Sequence, residues 1–150
     1  MSQHPARVEW RRQTPDFDYD TYDRNHMVEL GAGTRFQASS AAAYKGDARH
    51  TNPEELLVSA LSSCHMLTFL AVAAKGGWIV DSYVDDAVGF LEKNDAGRMA
   101  VNRALLRPRV EFGGGREPSV DELFKLHDKA HHACMVANSV TTKVTVEPQA

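Results

Sequence analysis

Thiols are scarce: the 150 residues include 2 cysteines, Cys64 and Cys134, and no Cys-x-x-Cys. That argues against a disulfide framework and against zinc-finger spacing. A chain of this length buries roughly 70% of the surface that its unfolded form exposes, so it needs no staple to fold. An excess of basic charge is also absent, since 17 Lys and Arg against 20 Asp and Glu leave a net charge of −3. A general nucleic-acid binder shows a basic face. Neither nucleic acid nor an anionic membrane is therefore expected as a partner. Met1 to Gln13 lacks the apolar core of a signal peptide. The longest apolar stretch, Leu56 to Ala74, is interrupted by Ser59, Ser62, Ser63, His65 and Thr68, which a lipid span tolerates poorly. No repeat and no long linker divides the chain, so residues 1–150 read as one domain, with residues 1–23 as an N-terminal arm. The expected setting is the reducing cytoplasm, where a cysteine pair is more often catalytic, redox-active or metal-binding than structural.

What is present is a mixed pattern of strands and two helices. Val8 to Trp10 suggests a short strand. Thr14 to Asp20 is acidic and aromatic and reads as a loop or arm. His26 to Leu30 and Thr34 to Ala38 flank a glycine turn and predict a hairpin. The first helix is signalled by Asn52 as cap, Pro53 at the first helical position, and Glu54 and Glu55 against the dipole. Its apolar residues wrap most of the circumference, which predicts burial in a core or at an interface. Gly76-Gly77 ends it. Trp78 to Val84, Ala87 to Glu92 and the long run Met99 to Phe112 have strand character, with Pro108 marking an edge or bulge. Ser119 and Glu122 form a capping box for a second helix whose stripe continues through Cys134 to Ala137, with Asn138 as its stop. Val140 to Val146 is the last strand. The order predicts an α+β domain with mainly antiparallel sheet.

Each cysteine lies in a helical pattern beside histidine, as Ser62-Ser63-Cys64-His65 and His131-His132-Ala133-Cys134. Either alone reads as a small core residue, because free cysteine is among the most buried residue types. A reactive cysteine must be a thiolate, and free cysteine has a pKa of about 8.5. Cys64 lies too deep in its helix for the dipole to help, so a side chain from elsewhere is expected, and arginine suits a buried anion. A zinc site from Cys64, His65, His131 and Cys134 is the alternative. Most of these histidines are expected at partly exposed positions of amphipathic helices.

The run Asn52-Pro53-Glu54-Glu55-Leu56-Leu57-Val58-Ser59-Ala60-Leu61-Ser62-Ser63-Cys64-His65-Met66 closely resembles the OsmC/Ohr family of osmotically inducible and organic hydroperoxide resistance proteins. A second match runs from Leu126-His127 through Ala130-His131 to Cys134, then Ala137 to Val140 and Val144 to Pro148. Gly89 to Phe112 is similar to the family's central hairpin, and the resemblance covers roughly Arg24 to Pro148. It implies an OsmC-like α+β fold, an intertwined homodimer with sheets wrapped around two central cysteine-bearing helices. It implies reduction of organic hydroperoxides without a cofactor or metal. Cys64 would attack the peroxide and become a sulfenic acid, Cys134 would resolve it to a disulfide, and an external dithiol would restore both. The family's glutamate maps to Glu54. Arg24 is the first choice for its arginine, with Arg35 second. Leu61, Met66, Leu67 and Met135 are candidates to line an apolar substrate site. Met135 departs from the proline that often follows the second cysteine in the peroxidase branches. A non-enzymatic redox-sensing or small-molecule-binding module is the alternative function.

Overall fold

A computed structural model describes residues 1–149. The chain divides into two compact units, the first ending at Leu56 and the second starting at Leu57.

The first unit is a three-stranded antiparallel sheet, ordered β1 (Ala6–Glu9), β2 (His26–Leu30), β3 (Arg35–Ala38). Val28 pairs with Val8 on one side and Phe36 on the other. The predicted hairpin is present, and Gly33 takes the left-handed φ of 84° that its turn requires. The acidic arm folds back on the sheet's end. Trp10, Phe17 and Tyr22 form an aromatic cluster with ring centroids 5.2–6.1 Å apart. Trp10 Nε1 donates to the Asp23 carbonyl at 2.6 Å, and Lys45 pairs with Asp20 at 2.8 Å.

Helix α1 (Pro53–Lys75) starts in the first unit and runs on through the second. Its start matches the sequence reading: the Glu55 N–H donates to Asn52 Oδ1 at 2.9 Å, and the Asn52 N–H donates to Glu55 Oε2 at 3.1 Å. Gly76 and Gly77 end it, with Gly77 at φ 74°. By length and hydropathy the helix is long and apolar enough to cross a membrane. Within the chain it buries one stripe only, Leu61, His65, Phe69 and Ala73, at the four-residue spacing of a single helical face. On other faces Ala60, Ser63, Leu67, Ala71 and Ala74 are exposed.

In the second unit, β4 (Val80–Asp85) pairs with β7 (Pro108–Phe112), while β5 (Val88–Lys93), β6 (Met99–Leu106) and β8 (Lys143–Val146) form a separate sheet. The pairings are antiparallel except β6 with β8. The long run from Met99 therefore serves two sheets. It breaks at Arg107, whose N–H donates to Asp85 Oδ1 at 2.6 Å, and Pro108 opens β7 at a position that tolerates a missing N–H. Helix α2 (Val120–Ala133) carries the predicted Ser119–Glu122 capping box. It ends earlier than expected. Cys134 is its C-cap, in an extended conformation, and Ala137–Ser139 form a 3-10 turn rather than a continued helix. The Asn138 side chain, expected as the stop, donates to the His132 carbonyl at 3.1 Å and so caps this end from beyond the turn. The last strand is shorter than predicted, at Lys143–Val146. Phe69 and Ala73 of α1 and Leu126 and Ala130 of α2 form the buried core, with Trp78, Val80, Tyr83, Val110 and Phe112 packed on it.

Helix α1 meets β5 closely at Gly89, where an added Cβ would lie 2.4 Å from Val58 Cγ2 and 3.1 Å from Val101 Cγ1. Overpacking of this kind costs about 1–3 kcal/mol. Gly89→Ala should therefore lower stability in urea unfolding by that amount. The double variant Val58→Ala/Gly89→Ala should lose less than the sum of the single changes. Strict additivity would show that the close approach is not the cause.

Candidate active site

The site grows from the end of α2. Because the helix stops at Ala133, the backbone N–H groups of Val136 and Ala137 are not taken up by a helical ladder. Two successive amides of that turn each meet a sulfur. The Val136 N–H donates to Cys64 Sγ at 3.5 Å, and the Ala137 N–H donates to Cys134 Sγ at 3.4 Å. The thiols are free, with Cys64 half-buried and Cys134 only 1% exposed. Expected from opposite halves of the chain, the two cysteines are brought side by side.

Their environments differ in sign. For Cys64, burial works to raise the pKa, but it is outweighed by the Val136 N–H, the Cys134 thiol, the Met135 N–H and the Thr68 hydroxyl, and the net direction is down. For Cys134, burial raises the pKa, and the neighbouring Cys64 sulfur raises it further against the Ala137 and Val136 N–H groups. One sulfur is thus shifted toward the thiolate and the other held as a thiol. The sequence predicts a side chain as the stabiliser of the Cys64 anion. The turn amides were missed, since their availability depends on where α2 stops.

The histidines also depart from expectation. His65 and His127 are not partly exposed but buried, at 1% and 2% exposure. His65 Nε2 and His127 Nδ1 share a hydrogen bond of 3.0 Å across the α1–α2 seam, and the His127 ring stacks on Phe69 at 4.2 Å between centroids. Burial, with a smaller contribution from His131 against Asp85, lowers the His65 pKa to about 4; burial and His65 lower that of His127 to about 3. The zinc alternative is not assembled, because His65 is committed to His127 while Cys64 faces the turn. Among the described residues, no group of three or more His, Cys, Asp or Glu is placed to hold a metal ion.

The remaining candidates fall as follows. Arg24 belongs to the first unit, where it donates to the Tyr19 and Tyr22 carbonyls and lies 3.7 Å over the Tyr22 ring. There it borders an apolar cup of about 400 Å³ walled by Val8, Trp10, Phe17 and Tyr22. Arg35 pairs with Glu29 at 3.0 Å in an exposed position. Glu54 is half-buried, and its Oε2 is buried without a hydrogen-bond partner among the described residues. Leu61 is buried in the core, Met66 is half-buried, and Leu67 and Met135 are exposed, at 60% and 76%.

Fold and site define a small α+β protein with a pair of unequal, adjacent thiols. The OsmC-like protein family model matches residues 46–149, and the chain belongs to this family. It is 42% identical to an OsmC-like protein of unknown function from Vibrio cholerae, with a TM-score of 0.94 over 99% of this chain and 100% of that one. Its fold is also that of an organic hydroperoxide resistance protein from Legionella pneumophila, at 17% identity and TM-score 0.74 over 100% of this chain and 98% of that one. One from Elizabethkingia anophelis, with bound thiocyanate, matches at 16% identity and TM-score 0.73 over 99% and 94%. No curated protein matches the chain.

Proposed function

We propose that this protein is a cytoplasmic, homodimeric, thiol-dependent peroxidase for organic hydroperoxides. The observation that carries the reading is the pair of sulfurs on successive amides, with Cys64 shifted toward the thiolate and Cys134 away from it. The Cys64 thiolate attacks a peroxide oxygen, the O–O bond breaks, and the alcohol leaves once protonated, so that Cys64 becomes a sulfenic acid. Cys134 attacks that sulfur, a disulfide forms, and water carries away the sulfenic oxygen with the Cys134 proton. An external dithiol then exchanges with the disulfide and restores both thiols.

Arg24 is assigned to steady the Cys64 thiolate and orient the peroxide, as the family resemblance implies, and the same resemblance favours an organic substrate. Glu54, with its unpartnered oxygen, is assigned as the carboxylate that positions the guanidinium. Ten residues of helix, about 15 Å, separate Glu54 from Cys64 of the same chain, so Glu54 serves the site of a second copy. The exposed stripe Ala60, Ser63, Leu67, Ala71 and Ala74 supports such a dimer, as its small side chains would allow close helix packing and Leu67 would be covered. The free thiols suit a reducing compartment.

The test is steady-state consumption of cumene hydroperoxide and of hydrogen peroxide with dithiothreitol, on protein whose mass in solution is measured. Faster turnover of the organic peroxide by a dimer is expected. Disulfide formation without turnover would point instead to a redox-sensing module, and a fully active monomer would remove the role of Glu54 across the interface.

A further inference from the structure

The reduced pair has a second chemical consequence, resting on the thiol pair assigned above and standing whether or not it turns peroxide over. Two sulfurs, both free, sit on adjacent amides of one turn, and the Cys134 thiol is close enough to donate to Cys64. Each sulfur is oriented by its own N–H donor, at 3.5 and 3.4 Å. Two cysteine sulfurs and no third His, Cys, Asp or Glu donor group among the described residues make a poor site for zinc, which takes three or four protein ligands. They make a good one for a soft centre that needs two sulfurs only, since thiolates select soft partners. The half-buried Cys64 provides the entry, and the buried Cys134 closes the chelate.

We propose that the reduced Cys64–Cys134 pair captures trivalent monoorganoarsenicals as a cyclic dithioarsenite. The Cys64 thiolate attacks arsenic and forms the first As–S bond as an As–O bond opens and its oxygen takes a proton from solvent. Cys134 forms the second as its proton passes to the departing oxygen, and the As–O bonds are lost as water. Arsenic stays trivalent and both sulfurs stay at the thiol level, so no oxidant or reductant is consumed. The tie between the thiols turns the second bond into an intramolecular event, an advantage on the order of a hundredfold or more.

Phenylarsine oxide is the probe, read by intact-mass spectrometry and by titration against free-thiol count. One adduct per chain is expected, with loss of both free thiols. It should survive excess 2-mercaptoethanol, be removed by 2,3-dimercaptopropanol, and be absent from protein previously oxidised to the disulfide. Cys134→Ser should bind on the order of a hundredfold more weakly. Two adducts per chain, displacement by the monothiol, or equal affinity in Cys134→Ser would overturn the proposal. The wild-type stoichiometry and the monothiol challenge decide it even if the variant misfolds. Peroxide consumption measured on the same preparation separates the two readings, because capture without turnover sinks only the peroxidase and turnover without capture sinks only this inference.

Discussion

Replacing Cys64 by serine should abolish peroxide turnover, by on the order of a thousandfold or more, while leaving the fold intact. The size follows from the roles. The thiolate is the nucleophile, and a serine hydroxyl in the same place has neither the ionisation nor the polarisable lone pair to attack a peroxide oxygen. The donors that lower the Cys64 pKa are the Val136 and Met135 amides, the Cys134 thiol and the Thr68 hydroxyl, and they remain in the variant with no anion to stabilise. Cys134→Ser should behave differently. Cys64 should still reach the sulfenic acid in a single turnover, trapped by dimedone, but no intramolecular disulfide should follow. In the wild type the same pulse of cumene hydroperoxide should close the bridge and remove both free thiols. Substantial steady-state activity in Cys64→Ser would refute the assignment. Dimedone labelling of Cys134 rather than Cys64 would reverse the roles. The asymmetry between the two variants is the diagnostic feature, because a shared structural defect would impair both single-turnover steps alike.

How much of this was legible in the sequence differs between the halves of the site. Cys64 announces itself, because the Asn52 cap, the Pro53 start and the Glu55 carboxylate are local signals, and local hydrogen bonds deliver what they promise. Cys134 does not, because its apolar stripe runs on past the point where the helix stops. The stop is made by the Asn138 side chain folding back on the His132 carbonyl, a contact six residues apart that periodicity does not register. The amides freed there are the very donors that reach the sulfurs, so the missed boundary and the missed thiolate stabiliser are one error. The run from Met99 to Phe112 reads as strand but not as two strands in two sheets, since what divides it is a hydrogen bond from Arg107 to distant Asp85. The histidines were misjudged for a related reason. A polar residue on a helix reads as exposed until its partner is known, and the partner of His65 lies 62 residues away.

That buried pair carries the second large expectation, a loss of stability in mild acid. In the unfolded chain a histidine takes up a proton near pH 6.5. In the folded protein His65 and His127 resist it down to about pH 4 and about pH 3, chiefly because burial disfavours the charged ring. His131 opposes a charge on His65, Asp85 favours it, and His65 opposes a charge on His127. The uncharged aromatics Phe69 and Tyr83 complete the surroundings of His127. The unfolded state therefore binds more protons throughout this window, and stability must fall as pH falls. The contribution is intact above pH 6.5 and is lost as pH drops from there toward 4 and below. For His65 alone the loss at pH 4 is about 3 kcal/mol, against a total stability of about 5–15 kcal/mol for an ordinary domain. Carboxylates add their own acid sensitivity, but only once the pH reaches their ordinary range near 4, so a decline that starts at 6.5 belongs to the imidazoles. Urea unfolding between pH 7.5 and 4.5 should show this slope, and His65→Gln/His127→Gln should flatten it even if the double variant starts from a lower plateau. A wild-type profile level down to pH 5, or an unchanged slope in the variant, would contradict the argument. Because the pair spans the seam between α1 and α2, its protonation should also part α1, which carries Cys64, from α2, whose end carries Cys134. Closure of the Cys64–Cys134 bridge by a peroxide pulse should accordingly slow over the same pH range, and by less in the double variant than in the wild type.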